Sequence, residues 1–152
     1  MTRVAALLAG ALAGLALAGP AAAAPIGCPL ARAAFAPVDG PAGLTLQASA
    51  AGRDVAFELR VRGARERLRY RLVRRPDSAL PALLPTARDA EPLGRAVLLG
   101  PDLRTVAPDQ ATPVAFAFFE GLWSHSYALS LRDGRERPLP PEGLWRVAAC
   151  RR

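Results

Sequence analysis

Lysine is missing from this sequence: all 20 basic residues are arginine, set against 13 acidic residues and one histidine. A single imidazole excludes any metal site built from several histidines, and two cysteines are too few for a cysteine-rich zinc framework. There is no C-x-x-C pair, which argues against a redox dithiol. Gly-rich phosphate loops, H-E-x-x-H and calcium-loop spacings are absent too, so neither a metal nor a cofactor is expected. Internal repeats and a dividing linker are also lacking. The 152 residues therefore read as a leader followed by one domain.

The leader is residues 1–23. Arg3 supplies a positive start, Val4 to Ala18 run without a charge, and Gly19-Pro20 breaks the helix. Ala21 and Ala23 then place small residues at −3 and −1 of a cleavage site, the pattern of a secretory signal peptide. The interruption and the small-residue tail argue against an uncleaved anchor, and no transmembrane span is expected in the mature chain. Removing 23 residues and one arginine leaves 129 residues at net +6, about 47% of them hydrophobic, an ordinary globular composition. The expected location is the periplasm or the exterior.

Cys28 falls near the start of that mature chain and Cys150 near its end. In an oxidising compartment an even pair is expected to be bridged, bringing the first and last segments together. The competing use of Cys28 is lipidation, since Gly27-Cys28 ends like a lipoprotein signal. Pro25 and the early end of the apolar stretch fit that pattern poorly, and it would leave Cys150 unpaired.

Residues 43–75 alternate. Leu44, Leu46 and Ala48 share one face, then Val55, Phe57, Leu59 and Val61, then Leu68, Tyr70 and Leu72, with turns at 51–54 and 63–66. Period-two alternation between Gly-containing turns predicts a β-meander buried on one side. Prolines punctuate 76–113, allowing short strands at Ala96–Leu99 and Leu103–Val106 and a helical turn near Thr86–Glu91. Ser126–Leu131 alternates with Tyr127, Leu129 and Leu131 inward, Asp133-Gly134 reads as a hairpin turn, and Gly143–Ala149 reads as a last strand. The expected fold is all-β: a small antiparallel β-sandwich or barrel, its termini joined by a disulfide.

Eight arginines lie between Arg60 and Arg75. If the 63–66 turn pairs Arg62 with Arg67, then Arg60 faces Arg69 and Glu58 faces Arg71. Arg60, Arg62, Arg67, Arg69 and Arg71 would then share one exposed face, a candidate anion-binding surface for an anionic envelope component or an acidic protein partner. Nucleic acid is a poor match for an exported chain. A blander account is that arginine fills solvated strand positions wherever lysine is not used.

Catalytic signals are weak. His125, within Trp123–Ser126, is the sole imidazole base, and Ser124, Ser126 or Ser130 could join it in a small hydrolase, although none carries a nucleophile signature. The scattered Asp residues sit in turns, which explains them without chemistry. Phe116, Phe118, Phe119, Trp123 and Tyr127 form an aromatic cluster suited to core packing, an apolar pocket or a membrane contact. The leading expectation is thus a non-enzymatic exported β-rich module. A His125 hydrolase and a Cys28-anchored envelope protein are the alternatives.

Overall fold

Residues 43–75 fold as their alternation predicts, and the rest of the chain completes the sheet they begin. In the computed structural model, residues 27–86, 91–137 and 139–152 are described; the leader expected over 1–23 and most of the helical turn expected near Thr86–Glu91 lie outside them. Strands β1 (Cys28–Pro29) and β2 (Ala33–Pro37) flank a single 3₁₀ turn. The meander follows as β3 (Leu44–Ala51), β4 (Asp54–Val61) and β5 (Arg67–Val73). Next come β6 (Ala82–Pro85), β7 (Gly94–Leu99), β8 (Pro113–Val114) and β9 (Phe116–Phe119), then helix α1 (Leu122–Asp133) and β10 (Leu144–Cys150). β2, β3, β4, β5, β6, β7, β9 and β10 form an eight-stranded antiparallel barrel, closed where β10 pairs with both β9 and β2. β1 and β8 make a separate two-stranded ribbon.

Closure gives each strand an inside and an outside, and in the meander the apolar set of each strand goes inside. Phe35, Phe57, Tyr70, Phe119 and Trp145 are fully buried there. Phe57 and Phe119 meet edge to face with centroids 5.2 Å apart, and Phe35 and Trp145 pack edge-on against Phe119 at 5.9 and 6.3 Å. An eight-stranded barrel is just wide enough for side chains to fill, and here aromatic rings fill it.

The ends are covered differently. At one end the 3₁₀ turn is held by backbone bonds from Leu30 to Thr112 and from Ala31 to Gln110, while the Gln110 amide donates to Gly52 O and Asp54 O. Cys28, buried in β1, is bonded to Cys150 at the end of β10. That bond uses the Cys28 sulfur, so it leaves none for a lipid thioether; the lipid-anchor reading is corrected on this point. At the other end α1 crosses the opening. Gly121 makes the turn from β9 into α1 at φ +83°, where an added Cβ would stand 2.5 Å from Leu93 O. Arg137, its side chain only 6% exposed, then binds both Asp133 of α1 and Glu66 of the β4–β5 loop, tying the helix end to the barrel rim.

Several expectations need correction. Ser126–Leu131 is helix, because Leu122, His125, Ser126 and Leu129 share the covered side at helical spacing, leaving Tyr127 and Leu131 exposed. Asp133-Gly134 is the end of that helix, with Gly134 left-handed as a C-cap, and not a hairpin. Leu103–Val106 contributes one bridge, Leu99 to Thr105, and no strand. The β4–β5 register is displaced by two: Arg60 pairs with Arg67, Glu58 with Arg69 and Ala56 with Arg71. The connection runs from Arg62 to Glu66, one residue longer than the predicted turn, and a two-residue shift preserves the faces.

The bond closes a loop of 122 residues. On the chain-entropy account it stabilises the fold by about 4–5 kcal/mol. Denaturant unfolding with and without reductant should show a loss of that order; an unchanged midpoint would mean the barrel closes equally well unbridged.

Candidate functional site

The outer wall made by β3, β4 and β5 carries the predicted arginines, and Glu58 stands among them. Its carboxylate accepts from Arg60 Nε at 2.6 Å and Arg67 Nη1 at 3.1 Å through Oε1, and from Arg69 Nε at 3.3 Å through Oε2. Glu58 is able to reach all three because Arg69 lies directly across from it, Arg67 is diagonal to it, and Arg60 is two residues along its own strand. Partial burial pushes the Glu58 carboxyl up, but the hydrogen bond and charge of Arg60, the charge of Arg67 and the hydrogen bond from Arg69 outweigh it. The pKa therefore lies below the usual carboxylate value.

One carboxylate does not neutralise this wall. Arg60, Arg67 and Arg69 remain 40%, 52% and 68% exposed, so most of their guanidinium donors are still open to solvent. Among the described residues no carboxylate lies within ion-pair reach of Arg62 or Arg71. Arg62 leaves the strand but not the site. Its N–H donates to Gly43 O at 2.9 Å, and Gly43 sits at φ +92°, where a Cβ would meet the Arg62 Cβ at 2.9 Å. This close approach shapes a cleft of about 320 Å³ lined by Gly43, Thr45, Arg60, Arg62, Ala64 and Arg67. Arg71 lies farther along β5 between Ala56 and Leu84, and Arg69 faces Glu58, so neither lines the cleft. Of the five predicted residues, Arg60, Arg62 and Arg67 are brought together around a concavity. Sequence reasoning missed Gly43 and Thr45, although a glycine opening a strand was a usable signal.

A second polar group lies under α1. The Tyr70 hydroxyl, inside the barrel, is 3.3 Å from His125 Nδ1 and donates to it in the Nε2–H tautomer. Burial pushes the Tyr70 phenol well above its ordinary value, and the Ser126 hydroxyl beside it offsets little of that. Burial, then the charges of Arg132 and Arg137, lowers the pKa of His125, so the ring is a neutral acceptor. The serines are occupied or sealed: Ser124 Oγ donates to Gly121 O, Ser130 Oγ donates to Ser126 O, and Ser126 is fully buried. The contacts of His125 bring no Ser–His–acid set together among the described residues. Nor do those residues contain a group of three or more His, Cys, Asp or Glu able to hold a metal.

The aromatic cluster is dispersed. Phe119 is inside the barrel, Phe116 and Phe118 are half-buried on its outer side, and Trp123 and Tyr127 stack on the outside of α1, rings 5.1 Å apart. A larger cleft of about 420 Å³ lies elsewhere, between residues 74–81 and 105–108. Its two arginines are already matched, Arg74 by Asp109 and Arg75 by Asp77, both at 2.7 Å. The smaller Arg60–Arg62–Arg67 cleft has more unmatched charge. No family model, curated protein or solved structure matches this chain.

Because the Glu58 pKa is depressed, the stability it contributes is present above about pH 4.5 and is lost as pH falls through the lowered value. Glu58→Gln should lower Tm at neutral pH and low salt by about 3–6 °C, the effect of about 1 kcal/mol in a domain this size. The difference from wild type should close in acid and in high salt. A deficit that persists at both would assign the loss to packing and not to charge.

Proposed function

We propose that this chain is an exported, non-enzymatic β-barrel module that binds an anionic component of the cell envelope through the Arg60–Arg62–Arg67 cleft. Export rests on the signal-peptide pattern of residues 1–23, and the Cys28–Cys150 bond is compatible with a periplasmic or secreted location. No described helix is long and apolar enough to cross a membrane.

The observation that carries the binding reading is the imbalance of charge around a concave surface. Three arginines line the cleft, two of them share the carboxylate of Glu58 beside it, and Arg62 has no ion-pair partner among the described residues. Guanidinium forks match the paired oxygens of phosphate, sulfate or carboxylate, and several converging on one concavity select for such a group. Arg69 and Arg71 extend the positive surface along β5 for a ligand carrying repeated charges. Glu58 holds the arginines in place while the cleft is empty of ligand, and a bound anion competes with it for the Arg60 and Arg67 donors.

The test is retention on a sulfated-polysaccharide matrix. Replacing Arg60, Arg62 and Arg67 by Gln should move elution to markedly lower salt. Replacing Arg74, Arg95 and Arg104, each paired on the surface with an acid, should move it less. Equal shifts for the two triple variants would reduce the cleft to general positive charge.

A further inference from the structure

Seven large apolar side chains stand exposed among the described residues, and six of them gather at the barrel end covered by α1. Trp123, Tyr127 and Leu131 lie four residues apart along α1 and are 38%, 44% and 68% exposed. Val38 and Leu144, where β2 ends and β10 begins, stand together because the Val38 N–H donates to Leu144 O; Leu139 belongs to the return from the helix to β10. The helix is therefore unusual in its distribution. Its covered side mixes Leu122 and Leu129 with His125, Ser126 and Ser130, yet its exposed side also carries an aromatic and aliphatic ridge.

We propose that this ridge is a docking surface for the interfacial layer of a lipid bilayer bearing anionic headgroups. Trp and Tyr combine an apolar ring with a polar tip, which suits them to the boundary between acyl chains and headgroups. A wide, shallow hollow of about 430 Å³ lies beside Trp123, lined also by Pro141 and Glu142, so this end combines ridge and hollow, a relief that a deformable lipid layer can follow. Charge complements it: Arg132 and Arg135 are exposed at the C-terminal end of the helix. The arginine cleft is contiguous with that end, since Val61 and Ala64 line both it and a small cleft against Glu136 and Arg137. Asp39, Glu136 and Glu142 lie at the same end, and Arg137 is taken up by Asp133 and Glu66, so the attraction depends on the Arg60–Arg62–Arg67 cleft facing the headgroups. In this respect the proposal rests on the anion-binding reading above and names the source of the anion.

The two tryptophans make the test specific. Trp145 is fully buried in the barrel, so a change in emission on adding vesicles reports on Trp123. Vesicles of phosphatidylcholine containing phosphatidylglycerol should shift the full mature protein's emission to the blue and protect it from acrylamide; phosphatidylcholine alone should do so far less. Tyr127→Ser with Leu131→Ser, both at exposed positions, should weaken partitioning about tenfold or more. The same variant should keep sulfate binding at the cleft. Equal partitioning into neutral vesicles, no partitioning into either, or a blue shift produced by self-association without lipid would overturn the proposal. Wild type that binds sulfate but not vesicles refutes the membrane proposal alone, whereas wild type that fails to bind sulfate refutes the cleft reading.

Discussion

The pairing of β10 with β2, locked at its far end by the bond between Cys28 and Cys150, decides which side of every strand is wet. Without that closure β3, β4 and β5 are an open meander whose two faces differ only in composition. With it, Leu46, Phe57, Leu59 and Tyr70 are enclosed with the rings of Phe35, Phe119 and Trp145, and the alternate residues are forced outward. Thr45, Glu58, Arg60, Arg67, Arg69 and Arg71 are on the outer wall for this reason. The placement of these residues is thus a consequence of burial elsewhere.

Burial sets the arginines close together, and electrostatics then determines what they can do. Arg60 and Arg67 are direct cross-strand neighbours, a pairing that opposes folding unless something negative intervenes. In water-like surroundings the repulsion of two such charges at about 5 Å is roughly 1 kcal/mol, small enough for one carboxylate to offset. Glu58 is that carboxylate. It makes the wall tolerable without making it neutral, and the proposed anion binding draws on the charge left over. The paired arginines of the larger cleft, Arg74 with Asp109 and Arg75 with Asp77, show the alternative in the same molecule.

The strands of residues 43–75 were legible because each buries one face and so writes its alternation into the sequence. The bridge was legible from the number and placement of its cysteines. β6 was hidden between prolines, and β1 and β2 gave little contrast because Cys28–Pro37 is rich in alanine and proline. Helix α1 was misread for a physical reason: its covered side holds His125 and Ser126, while Tyr127, Leu129 and Leu131 happen to alternate. With Leu122 and Leu129 covered and Trp123, Tyr127 and Leu131 exposed, apolar residues stand on both sides and the helical period is blurred. The arginine face was readable despite an incorrect register, since an error of two residues leaves every side chain on its own face. Which arginines converge was not readable, because that depends on Gly43 approaching Arg62 from another strand.

Arg60, Arg62 and Arg67 are proposed to act as one anion site. The most direct test is a sulfate titration at constant ionic strength followed on the arginine Nε–H resonances. The account predicts that these three move together with a single saturating dissociation constant, while Arg95 and Arg104 stay nearly still. Uniform, unsaturating movement across all the arginines would contradict it.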